Sequence, residues 1–130
     1  MRLGTLAARL DALLDVAAYE AVDAAHNGIQ VGRPGDPIGR VGLAVDAADA
    51  TIAAAADAEV DALIVHHGVF WGDRPSLEGV SLARVRALVA AEIALYAVHL
   101  PLDGHPTLGN AAGLARTLGL TDTAPFGTLG

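Results

Sequence analysis

Leu3, Leu6, Leu10, Leu13 and Leu14 recur at helical spacing and fall on one side of a helix, leaving Arg9, Asp11 and Asp15 for the other. The pattern then breaks. Across residues 27–39 (NGIQVGRPGDPIG) glycine and proline are so frequent that the sequence predicts a structured loop holding at most a short strand at 29–31. From there the chain alternates. Residues 40–46 (RVGLAVD) read as a strand whose small and β-branched side chains suit burial on both faces, and 47–58 as an alanine-rich helix. Residues 62–66 (ALIVH) form a short uncharged apolar run typical of a central parallel strand, and Leu82, Val85, Leu88 and Val89 mark a third helix. Residues 93–99 (IALYAVH) are a further buried strand, and 107–118 a last helix stopped by Gly119. The order α, β, α, β, α, β, α implies right-handed crossovers and a single α/β domain over 1–130, with a mainly parallel sheet covered by helices on both faces.

Composition narrows the chemistry mainly by what is missing. The chain has 130 residues, 53% of them hydrophobic, yet no apolar run nears the roughly 20 residues that span a bilayer. Its first segment is amphipathic and carries acids, unlike a signal peptide, so we expect a cytoplasmic protein without a membrane partner. Cysteine is absent, which excludes disulfides, thiolate metal sites and a cysteine nucleophile. Lysine is absent too, which excludes a Walker-type phosphate loop and Schiff-base chemistry. The two serines, Ser76 and Ser81, lie in no nucleophile-elbow pattern. A net charge of −7 with no arginine cluster repels polyphosphate backbones, so nucleic acid is not expected as a partner.

Ligands of open parallel sheets bind beyond the carboxyl ends of the strands, and this chain puts its rare polar residues there. The first long strand ends at Asp46, the second at His66 and His67, the third at His99, with Asp103 and His105 just beyond. Adjacent histidines in a regular strand point to opposite faces. At a strand end followed by Gly68 both can face one crevice while serving different ions, which favours a dinuclear site; the alternative is one histidine capping a helix and the other solvated. Pro101 and Pro106 are expected to keep 99–106 out of helix, on a rigid loop. Asp103 supplies a hard oxygen donor that suits zinc, manganese or iron in a mixed shell, unless it only starts a turn with Gly104. His99 is open to three roles: ligand, positioning of Asp103, or contact with substrate as the catalytic candidate. His105 is the weakest of the set. Asp46 reads as a helix N-cap before it reads as a site residue. His26 and Asn27 open the glycine loop, and Trp71 beside Phe70 reads as a satellite core before it reads as a pocket wall.

Three segments carry a family resemblance: NGIQVG (27–32), LIVHHGVFW (63–71) and VHLPLDGHPTLGNAAGLARTLGL (98–120). Together, and in order, they resemble the NIF-three-like proteins, also called GTP cyclohydrolase 1 type 2 homologues. The resemblance implies a dinuclear-metal protein assembled as a hexamer, with His66 and His67 one to each metal, Asp103 as the loop aspartate, and His99 near the metals without being a principal ligand. It also implies a partner set limited to further copies of the chain and a small-molecule substrate. Family members run to about twice this length and add a histidine and a bridging glutamate, four residues apart, near their far end. None of Glu20, Glu59, Glu78 and Glu92 is so placed, which suggests the N-terminal half of such a protein. A half domain should leave apolar sheet or helix faces uncovered.

Overall fold

A computed structural model describes residues 1–126. Helix α1 (Leu3–Leu14) is followed by a short 3-10 turn at Val16–Tyr19, then β1 (Gly28–Val31), β2 (Val41–Asp46), α2 (Asp49–Asp57), β3 (Ala62–His67), α3 (Gly79–Ala90), β4 (Ala94–Ala97), α4 (Leu100–Asp103) and α5 (Asn110–Thr117). The strands form one sheet in the order β1-β4-β3-β2. β2, β3 and β4 run parallel, and β1 closes the far edge antiparallel to β4, with Gly28 opposite Ala97 and Ile29 opposite Tyr96. The glycine-rich segment thus contributes a true sheet strand. A partner strand supplies hydrogen bonds that local composition does not reveal.

The leucine stripe of α1 packs as its spacing predicts except at Leu13, which is 55% exposed. Leu3, Ala7 and Leu14 are buried, and the stripe packs on Tyr96, Val98 and Ile29 across one face of the sheet. On the opposite face Ile52 and Ala55 of α2 and Leu88 of α3 close over Leu63, Val65, Leu95 and Ala97. Both faces of β3 and β4 are therefore covered, which accounts for their uninterrupted apolar sequence.

β2 departs from expectation. It is an edge strand, and the side chains of Val41, Leu43 and Val45 project from the sheet uncovered, Leu43 being 78% and Val45 62% exposed. α1 shields β1, β4 and β3 on that side and does not reach β2. The bareness of this strip follows from helix placement and was invisible in RVGLAVD, whose period suits either environment.

The boundaries also carry corrections. α2 starts at Asp49 with Ala48 as its N-cap, so Asp46 caps nothing. Residues 100–103 form a short helical turn, not a loop. Pro101 sits at the first positions of that turn, where a missing N–H is harmless.

Candidate metal centre

The parallel ladder fixes where the polar residues meet. Asp46 at the end of β2 is the register partner of His67 at the end of β3, and the Val98 amide donates to the Val65 carbonyl at 2.9 Å, continuing β4 alongside β3. His66, His67 and His99 therefore emerge at the same carboxyl edge. Their rings sit with centroids 4.4 Å (His66 to His67), 4.8 Å (His66 to His99) and 5.6 Å (His67 to His99) apart. One nitrogen from each lies within 4.8 Å of the others, a grouping able to hold a metal ion.

The hydrogen bonds decide which nitrogen that is. In every member of the trio Nδ1 is already engaged: His66 with the Val98 carbonyl at 3.1 Å, His67 with Asp46 Oδ1 at 2.6 Å, and His99 with Asp23 Oδ1 at 3.0 Å. Each partner is a pure acceptor, so each Nδ1 must donate its proton, and the lone pair of each neutral ring is left on Nε2. Three imidazoles thus present basic nitrogens with their tautomers fixed from behind, the arrangement that metal-ligating histidines require. The donor set fits a divalent ion of intermediate softness.

Asp103 reaches the same place from α4. Its Oδ2 lies 3.5 Å from His66 Nε2, while its Oδ1 accepts the side-chain amide of Asn110 at 2.8 Å. It stands beside His66 rather than among the close trio. Its helical turn points the carboxylate back toward the strand ends, a placement that the expected loop would not have fixed.

Two residues whose role the sequence does not announce organise His99. Asp23, with a side chain only 2% exposed, accepts from the Ala25 amide (2.9 Å), the Asn27 side-chain amide (2.8 Å), the Leu100 amide (2.9 Å) and His99 Nδ1. Burial alone would raise the Asp23 pKa, but the donors from Asn27, His99 and the two backbone amides outweigh it and hold the carboxyl below its ordinary value. Asn27 Oδ1 in turn accepts the His99 amide at 2.7 Å. In the sequence Asn27 reads only as a loop opener. A spacing of four residues between an acid and an asparagine is too common to signal a clamp on a residue more than seventy positions away.

The remaining candidates fall outside the trio. Asp46, expected as a cap, instead holds His67. His105 Nδ1 accepts the amide of Leu108 at 3.0 Å and so folds the turn before α5. His26 Nε2 bonds the Gly72 carbonyl at 2.7 Å. Phe70 packs against the core, but Trp71 does not form a satellite core: its ring meets His99 edge-on at a centroid distance of 5.0 Å. Gly68, the hinge after the histidines, leaves room for the Gln30 side chain. A Cβ there would sit 2.6 Å from Gln30 Cδ, and Gln30 Oε1 accepts the Val69 amide at 2.7 Å, tying β1 to the loop that carries Trp71.

Fold and site together define an α/β protein with a histidine cluster suited to a metal at the carboxyl edge of its sheet. The family model for Duf34/NIF3 (NGG1p interacting factor 3) matches residues 1–129, and the chain belongs to that family. Among curated relatives, a GTP cyclohydrolase 1 type 2 homolog of Halobacterium salinarum is 52% identical over 98% of this chain and 49% of its own length. One of Treponema pallidum is 50% identical over 88% of this chain and 40% of its own. A crystal structure of TTHA1606 from Thermus thermophilus superposes with a TM-score of 0.88 at 43% identity, over 97% of this chain and 51% of that one. The chain spans about half the length of the relatives it matches. No helix among the described residues is long and apolar enough to cross a membrane.

Proposed function

We propose that the chain supplies half of a dinuclear metal centre in a cytoplasmic metal-dependent hydrolase acting on a nucleotide or related small molecule. The observation that carries this reading is the trio of anchored imidazoles, each with Nδ1 committed to an acceptor and Nε2 left as a base. His66 and His67 serve as ligands, one to each ion, and Asp103 adds an oxygen donor from α4. His99, held from behind by Asp23 and beside both ligands, is the residue to contact substrate and to take or give a proton at Nε2. A divalent ion bound here supplies Lewis acidity that polarises an electrophile and acidifies water. The family name of the relatives supports the substrate class, and their twofold greater length supports the reading that further ligands come from outside these 130 residues.

The bare strip of Val41, Leu43 and Val45 favours an assembly over a free monomer, because covering a side chain such as Leu43 is worth about 1.5–3 kcal/mol. A homo-oligomer, the hexamer implied by the resemblance, is the form we assign it. Purified chain titrated with zinc and with manganese tests the site. Loss of binding in His67→Ala and Asp103→Ala is the expected result, and wild-type affinity in both variants refutes it. A panel of nucleotides and phosphoesters then separates the two remaining roles. Metal-dependent turnover supports the hydrolase, and stoichiometric metal without turnover of any member favours a non-catalytic metal-binding or regulatory protein.

A further inference from the structure

Trp71 is the largest side chain in the protein, and it is 40% exposed although an apolar core lies one residue away. Its position is nevertheless fixed. The indole Nε1–H donates to the Gly68 carbonyl at 3.1 Å, the Trp71 backbone bridges to Ala25, and the neighbouring amides of Val69 and Phe70 are held by Gln30. The indole and the His99 ring meet at 75° with their centroids 5.0 Å apart, and the His67 ring lies 6.0 Å away. An indole held this firmly, with its polar atom satisfied and much of its surface in water, is preorganised to receive a flat partner.

We propose that Trp71 is a binding residue: a stacking platform that seats a planar heteroaromatic ring, such as a nucleobase, beside the histidine cluster. This rests on the functional reading above and specifies its substrate class. The charge pattern favours recognition through a ring. Asp23 and Asp46 back His99 and His67, Asp103 stands beside His66, and among the described residues no arginine enters the hydrogen bonds or ion pairs of these side chains. Stacking on an aromatic face needs no positive charge and accepts any base. A ring resting on the indole also lies next to His67 and His99, whose rings adjoin the indole at 6.0 and 5.0 Å between centroids.

The test uses the fact that Trp71 is the only tryptophan, so intrinsic fluorescence reports this one position. The zinc-loaded chain is titrated with adenosine and, in parallel, with ribose, and the zinc content of each sample is measured. Saturable quenching by adenosine and none by ribose is expected. In equilibrium dialysis Trp71→Leu should bind adenosine on the order of tenfold more weakly, with Trp71→Phe retaining most of the affinity. Fully zinc-loaded protein whose fluorescence does not respond to adenosine, or Trp71→Leu binding as well as wild type, overturns the proposal while leaving the metal site standing. Failure to load zinc overturns the metal reading instead, and the adenosine titration of the metal-free chain then decides the role of the indole by the same criteria.

Discussion

Replacing Asp23 by asparagine preserves shape and inverts half of the hydrogen bonding. One carboxylate oxygen accepts from Ala25 N and His99 Nδ1, the other from Leu100 N and the Asn27 side chain. An amide retains an acceptor at only one of these positions and presents two N–H groups to the donors at the other. Two donors then lose their acceptor in a pocket from which water is nearly excluded. At about 1–3 kcal/mol for each buried group left unpaired, the change should destabilise the fold by about 2–6 kcal/mol, a large share of what a domain of this size possesses. If the amide keeps its oxygen on the His99 side, Leu100 and Asn27 are the losers and the turn carrying Asp103 loosens. If it flips, His99 loses the acceptor that fixes its tautomer, and removal of such a backing group weakens metal affinity about 10–100-fold. Urea unfolding followed by far-ultraviolet circular dichroism measures the first effect, and competition with a chromophoric zinc chelator the second. The same carboxylate gives a pH signature. Its folded pKa lies below the ordinary 3.8, so its contribution is present above that value and is lost as pH falls through the folded pKa. The acid limb of the stability profile should therefore flatten in Asp23→Asn. A variant within about 0.5 kcal/mol of wild type, with unchanged zinc affinity, would refute the clamp.

Three further outcomes follow from the packing. Leu43→Lys should reduce self-association in sedimentation velocity while moving thermal stability by less than about 0.5 kcal/mol, since the side chain is 78% exposed; an unchanged distribution removes this strip from the interface. Gly68→Ala should destabilise by about 1–3 kcal/mol, because its Cβ would sit 2.6 Å from Gln30 Cδ, and the double variant with Gln30→Ala should recover part of the loss in a mutant cycle. Tyr96 is fully buried and donates to Asp11 at 2.6 Å, and burial together with that carboxylate pushes its phenol far above the ordinary 10.0. It ionises first in the unfolded chain, so wild type should lose stability as pH rises past about 10 and Tyr96→Phe should lose less, as read by urea midpoints across that range.

How much of this was legible in the sequence depends on the reach of each signal. The α1 leucine stripe, the parallel strands and the convergence of histidines at strand ends follow from periodicity and from the rule that loops at one sheet edge carry function, and all are present. Local signals misjudged residues whose partners are distant. Asp46 looked like a cap because a helix begins soon after it, yet its partner stands across the ladder at His67. The turn at Leu100–Asp103 was masked by Pro101, which forbids helix interiors but suits a first position. Asp23 was missed altogether, because only two of its four donors, Ala25 and Asn27, are near it in sequence, and the other two, His99 and Leu100, follow β4. The exposure of Leu43 depends on where α1 lies, which strand composition does not encode.

The imidazoles of His66, His67 and His99 form one cluster at the sheet edge, where His66 and His67 present Nε2 to divalent metal and His99 stands beside them. Zinc affinity by chelator competition, with bound metal quantified by elemental analysis, is to be compared between wild type and His67→Ala, whose half-exposed ring leaves the core intact on removal. Wild type should bind stoichiometric zinc and the variant should bind it at least about tenfold more weakly, with an unaltered circular dichroism spectrum. Equal affinity in the two proteins, or no zinc retained by folded wild type, would contradict this assignment.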